Sequence, residues 1–79
     1  YPNPFRTVTT VRYFLPTTTT VQLNLITTSG QILQELVRAD QQHSGGYVVE
    51  YNGTHLAPGS YLYVLTTDLG RRTFKTVKE

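Results

Sequence analysis

Apolar and polar residues alternate along much of this chain with a period of two. The clearest stretch is Val21 to Ile26, where Val21, Leu23 and Leu25 are separated by Gln22 and Asn24. That pattern predicts a strand with one buried face. Thr7 to Leu15 predicts another strand. Its core face is Val11, Tyr13 and Leu15, because the opposite phase of Val8, Thr10, Arg12 and Phe14 contains an arginine. Pro16 ends it, and the run Thr17 to Thr20 predicts a solvated turn. Tyr47, Val49 and Tyr51 share one face of a strand over Tyr47 to Tyr51. Ser60 to Thr66 is apolar on both phases, with Tyr61, Tyr63 and Leu65 on one and Leu62 and Val64 on the other, which predicts a central strand or one covered on both sides. Arg71 to Lys78 predicts the last strand, with Phe74 and Val77 on opposite phases.

One segment fits two templates. In Gln31 to Arg38 the apolar positions are Ile32, Leu33, Leu36 and Val37, a spacing that suits a helix. A bulged strand closing a hairpin accounts for it equally well, and the preceding Thr28-Ser29-Gly30 turn favours the hairpin. Ala39 to Gly46 predicts a polar loop. Asn52 to Gly59 predicts an irregular connection with Asn-Gly and Pro-Gly turns, anchored in the core by Leu56.

Six or seven short strands punctuated by turns predict an all-β fold, a small antiparallel Ig-like β-sandwich. Residues 1–6, with Pro2 and Pro4, form a Pro-rich lead-in, and residues 7–79 a single domain. Composition agrees: there are 14 threonines and 9 Phe or Tyr residues, but only two alanines, Ala39 and Ala57. A chain of 79 residues has a thin stability margin, and with no cysteine it gains nothing from disulfides.

Charge narrows function by exclusion. The net charge of +2 forms no stripe with interleaved aromatics, so a nucleic-acid interface is not expected. His43 and His55 have no partner at ligand spacing, so no metal site is expected. Asp40, His43 and Ser44 are triad residue types, but they sit in one polar loop without an oxyanion-hole motif. No catalytic or cofactor-binding motif is present. Asn52-Gly53-Thr54 matches a glycosylation acceptor and reads better as a turn. No apolar run approaches the ~20 residues of a membrane-spanning helix. The opening Tyr1-Pro2-Asn3-Pro4 is not a secretory leader, and a start without Met reads as a piece of a longer chain.

Several of these residues combine into a pattern. Tyr1-Pro2-Asn3-Pro4-Phe5 is followed by Thr9 to Pro16, then Val21 to Leu25, Gly30, the element Leu56-Ala57-Pro58-Gly59-Ser60-Tyr61-Leu62-Tyr63, and a basic last strand with Lys75 and Lys78. In this order, over essentially the whole chain, they resemble the type A C-terminal sorting domain of the type IX secretion system of Bacteroidetes. The resemblance implies an Ig-like sandwich at the end of a larger cargo protein. It also implies recognition by the outer-membrane secretion machinery, removal by a sortase-like cysteine protease, and delivery to the cell surface, often onto an anionic lipopolysaccharide. Members often carry an acidic residue three positions before the hairpin glycine and a basic one just after it; here Thr27 and Gln31 stand there. The Ig-like module of flagellar hook-capping proteins shares the P-N-P-F and G-x-Y features and is the alternative.

The candidate recognition residues are Pro2, Asn3, Pro4, Gly30, Gly59, Tyr61, Arg71, Arg72, Lys75 and Lys78. Tyr61 also reads as a core aromatic, and the basic positions also read as protection of an edge strand. An exposed edge would leave self-association open.

Overall fold

The computed structural model describes residues 4–79. Six strands follow one another: β1 (Val8–Leu15), β2 (Thr19–Thr27), β3 (Ile32–Gln42), β4 (Gly45–Asn52), β5 (Gly59–Thr67) and β6 (Gly70–Lys78). Among the described residues there is no helix. β1 and β4 make a two-stranded sheet, and β3-β2-β5-β6 a four-stranded one, with every pairing between strands antiparallel. The expected all-β sandwich is therefore what forms.

The core lies between the sheets and uses the phases the alternation marked. Val11, Tyr13 and Leu15 of β1 are buried against Val21, Leu23 and Leu25 of β2 and Tyr61, Tyr63 and Leu65 of β5. Tyr47, Val49 and Tyr51 of β4 and Leu56 of the following loop pack onto this cluster. The Tyr13 and Tyr47 rings stack across the β1–β4 pair with centroids 5.3 Å apart. β5 is central in its sheet, as its two apolar phases predicted, with Leu62 and Val64 half-buried on its outer side.

Two expectations are corrected. The favoured hairpin strand forms, but as β3 it runs from Ile32 on to Gln42, so the expected loop from Ala39 to Gly46 shrinks to His43-Ser44. The cause is bulging. Ile26 pairs with Ile32 but Leu25 with Gln34; Asn24 pairs with Glu35 but Leu23 with Val37; and Val21 pairs with Asp40. Leu33, Leu36 and one residue near Ala39 are thus extra, and each extra residue switches the side-chain phase. Leu33, Leu36 and Val37 all reach the core as a result. The last bulge holds Ala39 at φ 42, a left-handed conformation. The second correction is Thr19, expected in a solvated turn but 2% exposed. Its hydroxyl donates to the Thr20 carbonyl (3.2 Å) and accepts the Asp68 N–H (3.0 Å), joining the β1–β2 and β5–β6 connections.

Alternation alone did not reveal a buried hydroxyl chain between the sheets. The Tyr63 O–H donates to Thr9 Oγ1 at 2.9 Å, and Thr9 Oγ1 lies 3.3 Å from Thr76 Oγ1. All three residues are fully buried, so each hydroxyl depends on the others for a partner. Burial raises the Tyr63 phenol above its ordinary 10.0, the bond to Thr9 acts the other way, and Tyr51 adds to the rise. Burial likewise raises Tyr13, against the lowering effect of its bond to Gln42.

Two outcomes follow. A raised phenol contributes stability that is complete below pH 10.0 and is lost as pH climbs through the folded value. Tyr63→Phe should cost about 1 kcal/mol near neutral pH and flatten the alkaline fall in melting temperature; an identical alkaline slope would refute the phenol's role. Ala39→Gly should leave the melting temperature unchanged or raise it, because left-handed backbone costs an L-residue roughly 1–2 kcal/mol, whereas Ala39→Val should lower it.

Candidate functional site

Because the strands run antiparallel, the sandwich has two ends. The lower end carries residues 4–7, the β2–β3 turn, the β4–β5 loop and the close of β6. The upper end carries the β1–β2 and β3–β4 connections and the β5–β6 turn. The candidate residues divide between them, while Lys75 lies on the body of β6, exposed opposite Leu62. Pro2 and Asn3 lie outside the described residues.

At the lower end residues 5–6 are sewn to residues 77–79. Phe5 forms a parallel bridge with Lys78: its N–H donates to the Val77 carbonyl (2.8 Å), and its carbonyl accepts the Glu79 N–H (2.9 Å). Arg6 Nε meets Glu79 Oε1 at 3.0 Å in an exposed pair. Phe5, assigned by sequence to the lead-in, is 3% exposed and belongs to the interior. Its ring leaves room only for glycine beneath it. A Cβ at Gly53 would stand 2.9 Å from Phe5 Cε2 and 3.0 Å from Leu56 Cδ1.

Lys78 closes this end. It is 7% exposed, and its ammonium donates to the carbonyls of Gly53 (2.9 Å), Thr54 (3.2 Å) and Leu56 (3.2 Å). It also lies 6.0 Å from the centre of the Phe5 ring. Its position shares a phase with Phe74 and Thr76, which face inward, whereas the sequence reading placed Lys78 among the basic contacts. The loop it holds carries its own turn, in which Asn52 Oδ1 accepts from the backbone N–H and hydroxyl of Thr54. The Asn52-Gly53-Thr54 triplet is thus a turn, as read.

Pro4 leads into this clamp and is exposed, and Gly59 begins β5 directly opposite Lys78. Tyr61 is buried, and its hydroxyl donates to the Ala57 carbonyl at 2.5 Å, bracing the same loop. Gly30 closes the neighbouring hairpin at φ 99, a conformation that suits glycine. There Thr27 and Gln31 bond each other. The Thr27 N–H donates to the Gln31 carbonyl (2.9 Å), and the Gln31 N–H to the Thr27 hydroxyl (3.0 Å). A hydroxyl and backbone groups close the hairpin without a charge pair.

Arg71 and Arg72 sit apart at the upper end, both exposed. The Arg72 guanidinium lies 5.7 Å from the centre of the Phe74 ring. Asp40, His43 and Ser44 are exposed, and no group of three or more His, Asp or Glu side chains able to hold a metal occurs among the described residues.

The family model of the secretion system C-terminal sorting domain matches residues 1–79. The chain belongs to this family. No curated protein and no solved structure matched it. The sorting domain is the C-terminal signal of type IX secretion and marks a protein for export through the outer membrane, to the cell surface or beyond. It acts as part of a larger cargo and through the secretion machinery. No finding favours the hook-capping alternative.

Part of the pattern that carries the resemblance lies at the lower clamp. Phe5, Leu56, Ala57, Gly59, Tyr61 and Lys78, far apart in sequence, meet around one loop. Lys78→Met should therefore cost about 2–3 kcal/mol, the worth of hydrogen bonds to a charged donor, whereas Lys75→Met should stay within about 0.5 kcal/mol. Urea midpoints compare them. Equal effects would mean that the Lys78 ammonium does not hold the loop.

Proposed function

We propose that this sorting domain acts as a folded, non-catalytic label whose surface, rather than a linear end sequence, is read by the secretion machinery. The clamp between residues 5–6 and 77–79 carries this reading, since a lesion in either segment disturbs the other. In this view Pro4, Gly59, Tyr61 and Lys78 act by fixing the lower end, and Gly30 by closing its hairpin. Arg71, Arg72 and Lys75, whose side chains are exposed, supply contacts, and Pro2 and Asn3 belong to the lead-in that joins residues 7–79 to the cargo. A sortase-like cysteine protease removes the domain from its cargo, as the family resemblance implies. The open edges of the two-stranded sheet are the places where self-association would start.

The test is export of a reporter fused upstream of residues 1–79 in a Bacteroidetes host. The intact fusion should reach the cell surface or medium. Deletion from Arg71 onward should hold it in the periplasm, because it removes β6 and both partners of Phe5. Export of the truncated fusion at the normal level would overturn the reading of a folded label.

A further inference from the structure

The upper end carries exposed apolar side chains that the fold does not use. Phe14 is 70% exposed, Leu69 67% and Val48 58%. Phe14 stands opposite Gly46, which has no side chain to cover the ring, and Val48 stands opposite Arg12. Phe14 separates two hollows. The first, about 330 Å³, has Leu15 and Leu65 in its floor, with Phe14, Pro16 and Leu69 on its rim beside Arg71 and Arg72. The second is shallow and lies over Gly46 and Val48 beside Arg12. No Asp or Glu lines either hollow. The nearby Asp68 is turned toward β2, where its Oδ2 accepts the Thr20 N–H.

The first hollow lies along the side of β1 away from β4: it takes residues from β1, β5 and β6 and none from β4. Among the described residues β1 pairs with β4 alone, so its other edge has no strand beside it. A strand edge presents alternating N–H and C=O groups, which another polypeptide backbone matches and a glycan or phosphate does not. Exposed apolar rims call for an apolar side chain, and three arginines without a carboxylate call for acids.

We infer that this end of the domain docks an extended acidic segment of a partner protein, which adds to the free edge of β1. One apolar side chain of the segment fills the hollow between Phe14 and Leu69, and its carboxylates meet Arg71, Arg72 and Arg12. The inference rests on the reading of the domain as a label contacted by a protein machine, and adds where the contact falls and what chemistry makes it.

The test titrates the isotope-labelled chain of residues 1–79 with a synthetic peptide alternating glutamate with valine and phenylalanine, followed by amide NMR. The comparison probes are its glutamine counterpart and vesicles of anionic phospholipid. The acidic peptide should shift the amides of residues 13–15 and 69–72 and bind more weakly as salt rises. Arg71→Glu with Arg72→Glu should weaken binding roughly tenfold or more. Phe14→Ser should also weaken it, and because Phe14 is exposed the remaining amides should keep their native positions. The inference is overturned if the glutamine peptide binds equally, if the shifts map to β3, or if nothing binds. It is also overturned if only vesicles bind, or if the same amides shift with chain concentration alone, which would make the occupant a second copy. A fusion that is exported normally while the peptide fails to bind would sink the inference and leave the sorting role standing.

Discussion

A buried ammonium with no acid beside it is the constraint on which the closure of this domain depends. Taking a lysine charge out of water is costly unless its donors are all met. Lys78 meets them with three carbonyls of a single loop. The loop is thereby held in one shape, and that shape brings Gly53 under the Phe5 ring. Phe5 in turn bonds through its backbone to Val77 and Glu79, on either side of Lys78. Each part is in place because the others are. In a chain of 79 residues without disulfides, this mutual dependence does what a covalent staple does elsewhere: it ties residues 5–6 to β6 and the β4–β5 loop.

The hydroxyl chain of Tyr63, Thr9 and Thr76 extends the same economy into the core. Its members lie on β5, β1 and β6, so it links the small sheet to the large one through directional bonds as well as apolar contact. Threonine is abundant here partly for its fit to strands. At positions 9, 19 and 76 it also carries a buried polar contact that valine could not make.

The two ends of the sandwich divide the work. Several residues of the family pattern, among them Phe5, Leu56, Gly59, Tyr61 and Lys78, close the lower end, where they are occupied with one another. The upper end carries exposed apolar and cationic groups beside its own internal bonds, such as those of Thr19 and Asp68. A family pattern of this sort reports what the fold needs.

Much of this was legible from residue order. The period-two runs located the strands and the core faces of β1, β2, β4 and β5, since alternation is a direct consequence of strand geometry. Gly30, with the turn around it, marked a hairpin, and the ordered motifs pointed to the family. The length of β3 was not legible, because its bulges put Leu33, Leu36 and Val37 on one side and erased the alternation. Nor was the state of Lys78. The phase of β6 turned it inward, but a lysine is placed inside only if donors find acceptors, and those acceptors are backbone carbonyls some twenty residues away. By itself, then, the sequence determined strands, faces and family, all set by local periodicity and residue type. The tertiary structure decided which basic side chains are buried, which apolar ones are left outside and how the ends close, because each of these depends on groups that meet only when the sheets pack.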